Sequence, residues 1–374
     1  MIGPLKPFNT IGREEAAAAE AAIRGGPLSG YLGGIRQGGY YVEKLESEFA
    51  AALKVRHAVA CNSCTSGLLM ACMAAGVGPG ADVVTTPLTM SATAAVPALL
   101  GAGILFGDIE DQNFCLASFA GSSRHVKATI ITNLFGHPAT LKEARNLSAQ
   151  VGWYLIEDNA QAPFAMEYGQ YAGTIGHIGV FSFNVHKHLH CGEGGICVTN
   201  DDTLADDMRR SRNHGELFAG VSSCGLNLRM TEVTAAIALA QLAKREQIIS
   251  ERIEIAETLT DMVRGLPGLT VPTVREGCRH VFYIWALKVN QNKNRDSFVQ
   301  TMQLYGMPLR AGYVDPLYRL PAFKKWARPC PVAERMHDQE LVIYENCAWS
   351  PTSEQLKLMG EAVKQAVDMS PAMG

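Results

Sequence analysis

The chain has 374 residues, too many for one ordinary core and too few for three, so two domains of unequal size are expected. Lysine and arginine number 33 against 36 acidic residues, a net charge of −3 that excludes a phosphate-backbone-binding surface and makes nucleic acid an unexpected partner. With 47% apolar and 18% charged residues and 36 glycines, the composition is that of a compact, turn-rich α/β enzyme rather than a disordered chain.

From residue 57 to residue 200, β-rich runs alternate with helical stretches. The runs are His57–Cys61, Asp82–Thr85, Ile104–Phe106, Ala128–Ile131, Trp153–Ile156, Val180–Phe183 and Ile196–Val198. Helices are predicted at 65–76, 90–101 and 140–150, the last with Thr140 as its cap, and this alternation predicts a mainly parallel sheet of seven strands between helices. The longest apolar-looking stretch, Ser91 to Gly107, falls short of the roughly 18 residues a membrane span needs and carries Pro97 and three glycines. It reads as a helix, a turn and a strand, and no membrane partner is expected.

After Asn200 the pattern predicts a helix over Asp201–Arg212 and one long amphipathic helix over Thr231–Arg264, bridging the two domains. A strand over His280–Val289 and helices near 294–305 and 353–368 then predict a smaller α+β domain, so that residues 1–240 form the large domain and 241–374 the small one. The N-terminus carries Lys6 and Arg13 without an apolar run leading to a small-residue cleavage site, so no signal peptide is read and a cytoplasmic location is expected. The ten cysteines sit mostly inside apolar segments and are read as free thiols.

Three local patterns carry chemistry. Lys187 follows the apolar run Val180–Phe183 and precedes Gly192-Glu-Gly-Gly195; a lysine that spends time neutral in such a place can form a Schiff base with an aldehyde cofactor. Alone, this pattern is more often a surface lysine. Asp158 closes a hydrophobic run, where parallel sheets present ligand-facing groups, although an acid there can also be a plain helix cap. Cys61-Asn-Ser63-Cys64-Thr65-Ser-Gly67 ends a strand and opens a helix with hydroxyls and amides that can hold a phosphate, or merely cap the helix. Taken together they supply a phosphate cradle, an acid for a ring nitrogen and a Schiff-base lysine, the three demands of pyridoxal 5′-phosphate.

The sequence also resembles the DegT/DnrJ group of nucleotide-sugar aminotransferases, fold type I pyridoxal-phosphate enzymes. The resemblance rests on Gly39–Phe49, Asn62–Thr65, Gly76–Asp82, Glu157–Gln161, Ser182–Lys187 with Gly192–Gly195, Arg212–Gly215, Gly225–Glu232 and, in the small domain, Cys330–Arg335. It implies an aspartate-aminotransferase-like fold, with Lys187 as the Schiff-base and proton-relaying residue. It further implies Asp158 on the pyridinium nitrogen, Gln161 near the phenolic oxygen, and the backbone around Cys64 and Thr65 with the Ser182 hydroxyl on the phosphate. Asn227 matches a family asparagine that reaches the phosphate of the neighbouring subunit, which implies a homodimer with shared active sites.

The implied reaction moves an amino group from an amino donor, L-glutamate by resemblance, to a keto group of a nucleotide-linked deoxysugar. A cyclitol ketone as acceptor, a sugar dehydratase and a non-catalytic regulatory relative are the alternatives; the retained Lys187 weighs against the dehydratase. The sequence departs from the family pattern at Met90, where a ring-stacking aromatic is usual, at Cys64 in place of glycine or alanine, and at His137 in place of glutamine. The run His186, His188, His190 and Cys191 could ligate a metal but lacks a second ligand pair, so no metal is expected and the run is read as shaping the substrate pocket. Choice of substrate is expected to depend on the loops Pro27–Gly39 and Tyr313–Tyr318.

Overall fold

The computed structural model describes residues 1–30, 38–117, 125–216, 221–291 and 293–369. Part of the expected pocket loop Pro27–Gly39, residues 31–37, therefore lies outside the described residues.

All seven predicted strands belong to one sheet. They are β1 (His57–Cys61), β2 (Asp82–Thr85), β3 (Gly103–Phe106), β4 (Val126–Thr132), β5 (Tyr154–Asp158), β6 (Ile178–Ser182) and β7 (Gly195–Thr199), in the spatial order β1-β7-β6-β5-β4-β2-β3. Pairing is parallel from β3 through β6, and β7 runs antiparallel to both β6 and β1. β1 therefore points the same way as the other five, and six strands deliver their C-terminal ends to one edge of the sheet. Helices on both faces make the strands apolar on both sides, which is why they read as continuous hydrophobic runs.

Local chemistry sets the helices that feed this edge. The first three helices are α1 (Arg13–Gly25), α2 (Tyr40–Leu53) and α3 (Cys64–Ala74), and in α3 the hydroxyl of the cap Ser63 accepts from the Ser66 amide. Gly67 lets α3 approach the sheet: a Cβ there would stand 2.7 Å from Val180 Cγ1 and 3.1 Å from Cys197 Sγ. In the helix Leu141–Val151, Thr140 occupies the cap position but its side chain accepts no cap hydrogen bond. That duty falls to Glu167, whose Oε2 accepts from Lys142 N at 2.8 Å.

The expected single helix over Thr231–Arg264 is two, Glu232–Ala243 and Arg245–Val263. Lys244 between them has ψ near 4°, and its side chain is pulled aside by Glu15 at 2.6 Å and the Thr10 carbonyl at 2.8 Å, so the helical path breaks there. The expected strand His280–Val289 is shorter, Trp285–Val289. Phe282 adopts φ 47°, a left-handed conformation held by Asn346 Nδ2 donating to its carbonyl, and this turns the chain before the strand begins.

Trp285–Val289 lies in a four-stranded sheet with Leu269–Thr270, Leu309–Ala311 and Leu341–Tyr344. Its core joins Trp285, Phe298, Met302, Met359 and Val363 to Ile2 at the start of the chain. Lys6–Pro7 pairs with Trp349–Ser350, so the first residues pack with this sheet rather than with the seven-stranded one. No helix among the described residues is long and apolar enough to cross a membrane.

Candidate active site

The edge where six strands end gathers the chemistry-bearing residues. After β1 the chain enters α3, whose cap Ser63 takes the Ser66 amide and leaves the Cys64 and Thr65 amides at the helix end. A side chain at Gly195, the first residue of β7, would strike the Ser63 backbone at 2.6 Å, so only glycine lets the strand start and the α3 N-terminus sit together. A helix N-terminus with free amides is suited to a phosphate through its dipole and its donors. Thr65 is exposed there and Cys64 partly so. Burial, and after it the nearby Asp158 carboxylate, push the Cys64 thiol well up, so it stays neutral.

Asp158 ends β5 with 3% of its surface exposed. Burial raises its pKa, against the opposing pull of the Ala160 amide, the Thr93 hydroxyl and the charge of Lys187. The neighbouring Glu157 points to the other side of the sheet, as successive strand residues must, and accepts backbone amides from Gly173, Ile175 and Gly176. The two adjacent acids thus differ in kind: one is consumed by the fold, the other faces the site.

Lys187 sits in the long connection between β6 and β7. Its turn is built by the Lys187 amide donating to Asn184 O, and the flanks keep pairing through Phe183 N to Gly194 O and Val185 N to Gly192 O. Its Nζ stands 4.4 Å from the centroid of the Tyr283 ring. It also lies within electrostatic range of Asp158, Cys64, Tyr313 and Cys347. A cavity of about 210 Å³ opens beside this region, lined by His186, Tyr283, Tyr313, Glu345, Cys347 and Ala348.

Gln161 is locked at both ends: its Oε1 accepts from Phe135 N at 2.7 Å and its Nε2 donates to Tyr313 Oη at 2.9 Å. Burial raises the Tyr313 hydroxyl to about 12, so it remains a phenol. Ser182 is buried at the end of β6, its hydroxyl accepting from Asn184 N at 3.3 Å. Met90 is 60% exposed on the loop before the helix Ala92–Leu99. Asn227 is exposed on the segment leading to Glu232–Ala243, where it bridges to Asn213.

Lys187, Asp158 and Cys64 are thus brought together, with Gln161 joined to them through Tyr313, while Met90 and Asn227 stand open to solvent at the rim. His137, the unusual residue after Gly136, is buried and accepts the Arg275 amide at 3.1 Å, away from the cavity. The histidine run divides: His186 lines the cavity, whereas His188 is fully buried with Nε2 2.8 Å from the Val281 carbonyl, which corrects the reading of the whole run as pocket-forming. Among the described residues no three histidine, cysteine, aspartate or glutamate side chains come together as a metal-holding group. Sequence reasoning missed Thr93, Tyr283 and Glu345 as site neighbours, because a threonine in a helix and a tyrosine before a strand carry no local signature of a site.

Residues 10–362 match the DegT/DnrJ/EryC1/StrS aminotransferase family. The chain belongs to that family. It is 30% identical to a dTDP-3-amino-3,4,6-trideoxy-alpha-D-glucose transaminase of Micromonospora megalomicea subsp. nigra, over 80% of this chain and 82% of that protein. It is likewise 30% identical to a GDP-perosamine synthase of Vibrio cholerae, over 79% and 82% of the two chains. Its fold superimposes on S. venezuelae DesV, solved in complex with a ketimine intermediate, with a TM-score of 0.86 and 27% identity over 95% of this chain and 94% of that one. The protein is accordingly a pyridoxal-phosphate-dependent aminotransferase of fold type I. The donor set fits the cofactor: free amides at a helix N-terminus for the phosphate, a buried carboxylate for the ring, and a primary amine within electrostatic range of that carboxylate.

Proposed function

We propose that this aminotransferase moves an amino group from L-glutamate to a keto group of a nucleotide-linked deoxysugar, as a cytoplasmic homodimer with shared active sites. The observation that carries the reading is the meeting of Lys187, Asp158 and the α3 N-terminus at one sheet edge beside a cavity of about 210 Å³. The relatives named for amino-sugar products support the acceptor class.

When bound, pyridoxal phosphate supplies the electron sink that makes the donor's α-proton removable. The protein does the rest. Lys187 offers the amine that anchors the cofactor and then carries the proton from one carbon to the other as general base and acid. Asp158 would hold the ring nitrogen's proton with a charge-assisted hydrogen bond. The first amides of α3 around Cys64 and Thr65, with the Ser182 hydroxyl, would hold the phosphate, and Gln161 would serve the ring's oxygen. Met90 would offer the ring its polarizable thioether where an aromatic is usual. Asn227 is exposed in the single chain together with Met90, Val185 and Leu226, and in the homodimer it would serve the partner's site.

The test is the visible spectrum of the protein with pyridoxal phosphate before and after L-glutamate, followed by borohydride reduction and peptide mapping. Bleaching by glutamate with the reduced adduct on Lys187 supports the donor and the lysine; bleaching only by another amino acid rejects glutamate. Sharing of sites is tested by mixing two inactive variants, Lys187→Ala and Asn227→Ala. Mixed dimers contain one site with both residues intact, so activity should return to about a quarter of wild type if they assort at random. No recovery in mixed dimers rejects the shared site.

A further inference from the structure

Three threonines from three separate segments meet behind Asp158. Thr93, in the first turn of the helix Ala92–Leu99, donates its hydroxyl to Asp158 Oδ2 at 2.9 Å. Thr89, on the loop that carries Met90, stands 3.3 Å from the Thr93 hydroxyl and 3.1 Å from the hydroxyl of Thr132 at the end of β4. All three are at most 1% exposed, so water does not complete these contacts.

The chemistry of the last acceptor fixes the direction of the chain. A carboxylate only accepts, so Thr93 gives its proton to Asp158; its lone pairs then accept from Thr89, and Thr89 in turn accepts from Thr132. Every hydroxyl dipole points toward the carboxylate, and such chains polarise one another. Thr93 stands second in its helix, with no helical turn before it to bond back to, and its hydroxyl is turned to the acid. The arrangement also bounds Met90 on both sides, because Thr89 and Thr93 are anchored and the Thr93 amide donates to the Met90 carbonyl at 3.2 Å.

We propose that Thr132, Thr89 and Thr93 form a directional hydroxyl relay that positions the Asp158 carboxyl group and fixes the loop that carries Met90 beside it. The three are positioning residues. The proposal rests on the reading of Asp158 as the partner of the ring nitrogen. Under it, the relay decides how firmly the cofactor's nitrogen keeps its proton, a property no local stretch of sequence encodes.

The experiment uses the full-length protein loaded with pyridoxal phosphate labelled with ¹⁵N at the ring, in wild type, Thr93→Val, Thr93→Ser, Thr89→Val and Asp158→Asn. The readouts are the ring-nitrogen chemical shift, the cofactor dissociation constant and the melting temperature without cofactor. Thr93→Val, which keeps the shape and removes the donor, should move the nitrogen resonance toward the unprotonated position and weaken cofactor binding about tenfold, the worth of one hydrogen bond to a charged group. Thr93→Ser should restore both to within about twofold of wild type, and Thr89→Val should give a smaller shift of the same sign. An unchanged resonance in Thr93→Val while Asp158→Asn moves it rejects the relay alone. An unchanged resonance in Asp158→Asn rejects the reading of Asp158. If Thr93→Val does not fold, Thr89→Val decides: an unchanged resonance there with a lowered melting temperature makes the hydroxyls structural and overturns the proposal.

Discussion

The two largest sheets of this enzyme bury different things. The four-stranded sheet has a mostly apolar core, with Trp285, Leu287, Val342 and Tyr344 packed against Phe298 and Met359; the Trp285 N–H finds Thr260 at 2.9 Å, and the Tyr344 hydroxyl is buried without a partner. The C-terminal edge of the seven-stranded sheet instead buries the hydrogen-bonded series Thr132, Thr89, Thr93 and Asp158, with Gln161 buried and tied to Phe135 N and Tyr313 Oη. Packing apolar side chains is tolerant and contributes stability at every position. Burying polar ones is costly unless each finds a partner, so such a cluster holds its atoms in fixed directions. Stability is concentrated in one region and orientation in the other.

The comparison breaks most visibly at the residues proposed to react. Lys187→Ala should reduce turnover by about 10⁴-fold, the upper range for a lost general acid–base group, while the melting temperature of the cofactor-free protein barely changes. Steady-state kinetics and calorimetry on the same preparation check both halves, and a large loss of stability would mean that the lysine belongs to the fold. The adjacent acids Glu157 and Asp158 sharpen the contrast. Glu157→Gln leaves at least one of three buried amides without an acceptor and should cost about 2–3 kcal/mol in urea unfolding. Asp158→Asn, one residue away, should act mainly on cofactor affinity.

His188 gives the fold a pH dependence. His188 is buried and its pKa is lowered from 6.5 to about 4, burial being the main cause. Between those values the unfolded chain binds a proton that the folded chain refuses. Its stabilising contribution is therefore complete above pH 6.5 and is lost as pH falls toward 4, amounting to about 3 kcal/mol. His188→Gln should flatten the slope of unfolding free energy against pH in that window. His186→Gln, at the cavity, should alter acceptor binding.

Much of this was legible in the sequence because each strand carries its own apolar run and each turn its own glycine or cap. The seven strands of the large sheet are found within two or three residues of their predicted ends. Lys187, Asp158 and the Cys64–Thr65 turn could be singled out because each lies at or shortly after the end of an apolar strand, the place where a parallel sheet presents ligands. What the sequence concealed is long-range. The break at Lys244 depends on Glu15 and Thr10, more than two hundred residues away, and the left-handed Phe282 depends on Asn346. The threonine relay draws on residues 89, 93, 132 and 158, none of which signals the others.

The smallest expected effect tests the same distinction between local and distant causes. Thr140 has the side chain and the position of a helix cap, and local reasoning assigns it about 1 kcal/mol. In the fold its hydroxyl makes no cap bond, and Glu167 takes the Lys142 amide while its other oxygen pairs with Arg275 at 2.6 Å. Thr140→Ala should therefore lie within about 0.5 kcal/mol of wild type, the range of an unremarkable surface change. Glu167→Gln keeps an acceptor for the cap but loses the charge opposite Arg275, and should cost about 1–2 kcal/mol in urea unfolding. If Thr140→Ala proved the more damaging of the two, the helix would be capped locally after all, and the assignment of that cap to a distant strand would fall.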